Sequence, residues 1–91
     1  MAESNTVFIG KKPVMNYVLA CLTLFQNGAD GVMIKARGRA ISKAVDVAQI
    51  MVKRFATDLV VKKIDITTEQ VKSVETGNLS NVSSMVIQLG K

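Results

Sequence analysis

The apolar periodicity of this 91-residue chain changes once, near Val60, and that change orders its elements. Upstream, apolar residues recur at helical spacing between short apolar runs; downstream they alternate with a period of two. Val7-Phe8-Ile9 is a short run ended by Gly10 and reads as a buried first strand. Pro13 suits the first position of a helix, where its missing N–H costs nothing. Val14, Val18, Cys21, Leu22 and Phe25 then define a buried stripe. Asn27-Gly28 stops that helix, with Gly28 as its left-handed terminal residue. Val32-Met33-Ile34 is a second strand running toward Arg37, and Gly38 breaks it. The second helix has Ile41, Ala44, Val45, Ala48, Val52 and Phe55 as its inner stripe. Val47, Ile50 and Met51 widen its apolar arc beyond one core face, which points to a second packing surface and an oligomer.

Beyond Val60, Val60, Ile64 and Ile66 alternate with Val61, Lys63 and Asp65. Met85, Ile87 and Leu89 alternate with Val86 and Gln88. Between them residues 67–84 are mostly polar and centre on Glu75-Thr76-Gly77-Asn78. This is a long hairpin whose outer half has little to bury, projecting on the order of 25 Å at ~3.3 Å per residue. The order is β-α-β-α-β-β. Two crossover helices favour parallel pairing of the first three strands, and the last two strands form an antiparallel hairpin. The expected fold is α+β in two layers, two helices on one mixed four-stranded sheet, in one domain spanning 1–91. Residues 1–6 are a polar lead-in expected to be flexible.

Charge is distributed unevenly. Of the twelve Lys and Arg residues, six lie between Gly10 and Lys43, opposed only by Asp30. They form two clusters, Lys11-Lys12 and Lys35-Ala36-Arg37-Gly38-Arg39, with Lys43 just beyond. Each follows a strand and precedes a helix. In a parallel βαβ unit the two strand ends share one sheet edge, so the clusters become neighbours. A surface of this kind suits a polyanion, and nucleic acid is the expected one. Lys11 and Lys12 stand at a helix N-terminus, against the dipole, which an anionic partner explains better than solvation does. Gly10-Lys11-Lys12 lacks the earlier glycine and the following Ser/Thr of a nucleotide-binding P-loop. Arg37 and Arg39 carry planar guanidinium groups suited to phosphate oxygens, and Gly38 between them permits a sharp turn. Lys43 either extends the patch or pairs with Asp46. Tyr17 either bonds a phosphate or packs with its hydroxyl at the rim, and Asn16 is a polar contact beside it. In the hairpin, Gln70, Lys72, Asn78, Ser80 and Asn81 are candidates for a minor groove, although Glu69 and Glu75 oppose the single Lys72. Phe55 either caps the core or lies exposed as an assembly contact.

Other functions find little support. The chain has no histidine, and its carboxylates are scattered, so neither acid–base catalysis nor a metal site is indicated, and no cofactor is expected. The one cysteine, Cys21, excludes an internal disulfide and reads as a buried, inert thiol. The stretch from Val14 to Phe25 is too short to span a bilayer, the N-terminus is polar, and the cations do not line one amphipathic helix. A soluble cytoplasmic protein with no membrane partner is expected.

The segments Gly10-Lys11-Lys12-Pro13-Val14-Met15-Asn16-Tyr17 and Lys35-Ala36-Arg37-Gly38-Arg39-Ala40-Ile41-Ser42-Lys43-Ala44-Val45-Asp46 together resemble the Alba family of archaeal chromatin proteins. The resemblance runs from Val7 to Leu89 in the same element order. It implies a homodimer, with a heterodimer with a paralogue as an alternative, that binds double-stranded DNA with little sequence preference, and also RNA. It places the protein on the chromosome or nucleoid. The body contacts it implies fall on Lys11, Lys12, Asn16, Tyr17, Arg37, Arg39 and Lys43, and the arm contacts on Lys72, Asn78 and Asn81. It further implies acetylation at Lys11 or Lys12, which would weaken binding by removing a charge, and a dimer–dimer contact at Phe55. Arginines often follow the arm's tip glycine in the family; here Asn78 and Asn81 occupy those places. The resemblance therefore leaves most of the electrostatic attraction to the body.

Overall fold

A computed structural model describes residues 5–91. Strand β1 is Thr6–Phe8, helix α1 Val14–Gln26, strand β2 Gly31–Arg37, helix α2 Ile41–Ile50, strand β3 Val60–Lys72 and strand β4 Leu79–Gly90. A 3₁₀ turn, Gly38–Ala40, leads into α2, and a π-helical turn, Met51–Phe55, ends it. Thr6 pairs with Met33, so the lead-in expected over 1–6 is shorter at its inner end; residues 1–4 lie outside the described residues.

The sheet order is β1-β2-β4-β3. β1 and β2 are parallel, as a crossover through α1 requires. β2 does not pair with β3, however: β4 lies between them, antiparallel to both. The physical reason is apolar content. Ile87 and Leu89 of β4 are buried opposite Ile34 and Val32 of β2. β3 carries Lys62, Lys63 and Asp65, charges suited to an edge. Both helices pack on the face bearing Val7, Val32, Ile34, Ala36, Ile87 and Leu89, and close a core with Val18, Cys21, Ala44, Val47 and Met51.

Three local readings are corrected. The core stripe of α2 runs through Ala44, Val47, Ala48 and Met51, while Val45 and Phe55 are exposed. The broad apolar arc of this helix let two stripes compete, and the sheet selected the other one. In β3 a bulge at Lys62 shifts the register between Val61 and Lys63. Val61, Ile64 and Ile66 therefore oppose Leu89, Ile87 and Met85 on the helix side of the sheet, where strict alternation would separate Val61 from them. In β1 only Val7 faces the core; Phe8 points to the other face and is 64% exposed.

The outer half of the hairpin pairs from Thr67 opposite Ser84 to Lys72 opposite Leu79. Its tip closes through Ser73 N–H to Asn78 C=O (2.9 Å) and Gly77 N–H to Ser73 C=O (2.8 Å). The arm stretches the molecule to 45 Å along its longest axis. It also raises the radius of gyration to 13.9 Å, against ~12 Å for a compact chain of this length.

Candidate nucleic-acid interface

The loop from β1 to α1 is held by two side chains from elsewhere. The Tyr17 hydroxyl oxygen accepts the backbone N–H of Gly10 (2.8 Å) and of Lys12 (3.0 Å). The Lys43 ammonium donates to the carbonyl of Gly10 (3.0 Å) and of Lys12 (2.8 Å). Both backbone groups of Gly10 and of Lys12 are thus paired, and the intervening Lys11 is presented on a constrained turn. The two side chains also meet each other, with Lys43 Nζ 6.0 Å from the Tyr17 ring centroid. The loop passes close to this ring: a Cβ at Gly10 would stand 3.2 Å from the Tyr17 hydroxyl, a tight contact that a small shift of the side chain would relieve. Tyr17 is half-buried against the core, and its hydroxyl is engaged by the loop. Among the described residues no ion pair joins Lys43 to Asp46. Lys43 carries its charge into the patch while bonding the loop.

The second cluster follows β2. Period two along Gly31–Arg37 buries Val32, Ile34 and Ala36 and turns Met33, Lys35 and Arg37 to the opposite face. Gly38 then takes φ +55°, a left-handed conformation that lets the chain turn within one residue. Arg39 follows in the 3₁₀ turn and is exposed. Arg37 lies 3.8 Å from Glu69 of the arm, both side chains about half exposed. Such a pair is weak and yields readily to a phosphate.

Gly10, Lys11, Lys35, Arg37, Arg39 and Lys43 line one open depression of about 1020 Å³ at the sheet edge where β1 and β2 end. Neither helix start has an acidic residue in its first turn or a side-chain cap. Lys12 and Asn16 are exposed but do not line the depression. Lys35 was not singled out as a contact from sequence; the period of β2 was the signal that places it beside Arg37. On the arm, Lys72, Asn78 and Asn81 are exposed and lie outside the depression. Phe55 is 49% exposed at the end of the π-helical turn, after the exposed Lys53 and Arg54.

Cys21 is fully buried, and burial pushes its thiol up to about 11, away from nucleophilic use. Among the described residues no cluster of His, Cys, Asp or Glu could hold a metal ion. No described helix is long and apolar enough to cross a membrane.

Comparison with known proteins matches this geometry to one family. The sequence profile of the family described as Alba matches residues 5–68. The chain is 63% identical over 91 residues to DNA/RNA-binding protein Alba 1 of Archaeoglobus fulgidus, covering 100% of this chain and 99% of that one. It is 55% identical over 89 residues to DNA/RNA-binding protein Alba of Methanocella arvoryzae, covering 98% of this chain and 92% of that one. Among solved structures, Alba from Thermoplasma volcanium superposes with a TM-score of 0.89 at 50% identity, covering 96% of this chain and 100% of that one. These matches, the two-layer β-α-β-α-β-β fold and the basic edge agree: the chain belongs to the Alba family of DNA/RNA-binding proteins.

Proposed function

We propose that this protein is a sequence-tolerant, double-stranded DNA-binding architectural protein that acts as a dimer and compacts or bridges duplexes. The observation that carries the reading is the convergence of Lys11, Lys35, Arg37, Arg39 and Lys43 on one depression. Cations so placed neutralise backbone phosphates, a contact that positions a protein without reading sequence. Lys12 and Asn16 extend the contact along the first turn of α1. Lys72, Asn78 and Asn81 supply polar groups from the arm to an adjacent minor groove. Acetylation of Lys11 or Lys12 would remove one of these charges and weaken binding.

Support for the dimer comes from exposed apolar residues on the edge strand. Val61, Ile64 and Ile66 of β3, on the helix side of the sheet, are 36%, 54% and 75% exposed, a row that a second copy would cover. A heterodimer with a paralogue would use the same row. Phe55, at the opposite end of α2 from the basic edge, is proposed as a contact between neighbouring dimers on DNA. The same basic edge suits RNA, and two similar relatives carry names that state DNA and RNA binding. An A-form duplex offers phosphates and 2′-hydroxyls to the same cations. Association with the chromosome follows from the DNA reading.

Footprinting of the purified protein on long duplex DNA at increasing protein density tests the proposal. Protection spreading evenly from site to site, with a dimer in sedimentation equilibrium, is the expected result. Protection confined to one sequence, or a monomer, would contradict it. Competition by duplex RNA of equal length ranks the two nucleic acids.

A further inference from the structure

The sheet face away from the helices carries a feature that duplex binding does not use. Register aligns Phe8, Lys35, Val86 and Asp65 in one row across all four strands, on that face. Phe8 is 64% exposed, an uncommon position for a large aromatic side chain. The Lys35 ammonium lies 5.8 Å from its ring centroid, so the ring is held beside a cation. Phe8 lines the same depression as Lys11, Lys35, Arg37 and Arg39. An exposed ring on an open sheet, with one cation beside it and others lining the same depression, is the arrangement by which proteins hold single strands: bases stack on the ring while phosphates meet the charges.

We propose that Phe8 is a stacking platform for an unpaired base, and that this edge of the sheet binds single-stranded nucleic acid as well as duplex. A paired base cannot reach the ring, because its faces are occupied by its neighbours in the stack. An unpaired base lies on Phe8, and its flanking phosphates reach Lys35 on one side and Lys11 on the other. Charge complementarity selects this occupant over an apolar peptide: Lys35 stands beside the ring, five cations line the depression it shares, and Glu69 is the one carboxylate among the lining residues. The inference rests on the nucleic-acid reading of the basic edge and adds a second mode to it.

Affinity of Phe8→Ala and Phe8→Trp, measured against an oligodeoxyadenosine strand and a blunt duplex of equal length, tests the inference. A strand carrying 2-aminopurine reports stacking directly as quenched fluorescence. Phe8→Ala is expected to lose about tenfold in affinity for the strand and to abolish the quenching, with duplex affinity within about twofold. Phe8→Trp is expected to retain both strand affinity and quenching. Equal loss on strand and duplex, unchanged strand affinity, or a changed oligomeric state in Phe8→Ala would overturn the inference; the last would mean that a second copy covers the ring. Wild-type protein that binds the duplex but not the strand would overturn this inference alone, whereas binding to neither would remove the basic-edge reading itself.

Discussion

At the body edge, Tyr17 and Lys43 make four hydrogen bonds to the backbone of one loop and hold Lys11 and Lys12 in place. In the arm, residues 67–84 are bonded to one another, and the tip closes on its own backbone and hydroxyls. The body gathers cations where two strands end and two helices begin. The arm carries Lys72 against Glu69 and Glu75 and exposes most of its residues. A preorganised cationic loop loses little freedom on meeting a phosphate, whereas a polar arm adds reach and hydrogen bonds with little charge. The difference teaches that in this chain charge and reach are assigned to separate regions.

The comparison breaks first at the loop. Tyr17→Phe removes the acceptor for two backbone N–H groups and is expected to destabilise the fold by about 1–2 kcal/mol. Faster amide hydrogen exchange at Gly10 and Lys12, with weaker duplex binding, would accompany it. Unchanged exchange would show that the hydroxyl does not hold the loop. Next come the glycines with positive φ in each region, Gly38 (+55°) in the body and Gly77 (+73°) at the arm tip. Alanine at either is expected to cost about 1 kcal/mol in denaturant unfolding. Only Gly38→Ala should also weaken duplex binding, because Arg37 and Arg39 flank it; equal binding losses would erase the distinction between the regions.

Smaller effects sharpen it. Glu69→Gln removes the one arm carboxylate paired with a body cation, Arg37. Duplex affinity is expected to rise by about two- to threefold at low salt, as befits an exposed pair. No rise in a titration at low ionic strength would show that Arg37 is not used. Smallest of all is Cys21, whose buried thiol stays protonated up to about pH 11. The unfolded thiol ionises at its ordinary value, so the folded state holds a proton that the unfolded state releases. The stability this contributes is present below the ordinary thiol pKa and is lost as pH rises through about 11. Cys21→Ser should flatten that alkaline fall in unfolding midpoint without altering DNA binding.

Much of this was legible in the chain itself. Element order followed from one change of period, and the two basic clusters were placed at one edge by βαβ geometry alone. Phe8 was hidden because Val7-Phe8-Ile9 is apolar throughout, so nothing in the run marks which residue faces outward. The bulge at Lys62 left no local signature, since β3 without it still alternates plausibly. The position of β4 between β2 and β3 is decided by which strand buries more, a competition no single segment reveals. Tyr17 and Lys43 were recognisable as members of the patch. Their bonds to the loop backbone join residues as far apart as Gly10 and Lys43, and spacing in the sequence does not encode them.

The central claim, that the body supplies the electrostatic attraction and the arm does not, is tested by the salt dependence of duplex affinity. Lys11→Ala combined with Arg39→Ala is compared with Lys72→Ala combined with Asn78→Ala and Asn81→Ala. The account predicts that the slope of log affinity against log salt shrinks by about 1.8 in the body variant, close to 0.9 per lost phosphate contact, and by at most about 0.9 in the arm variant. A slope unchanged in the body variant, or reduced more in the arm variant, would contradict it.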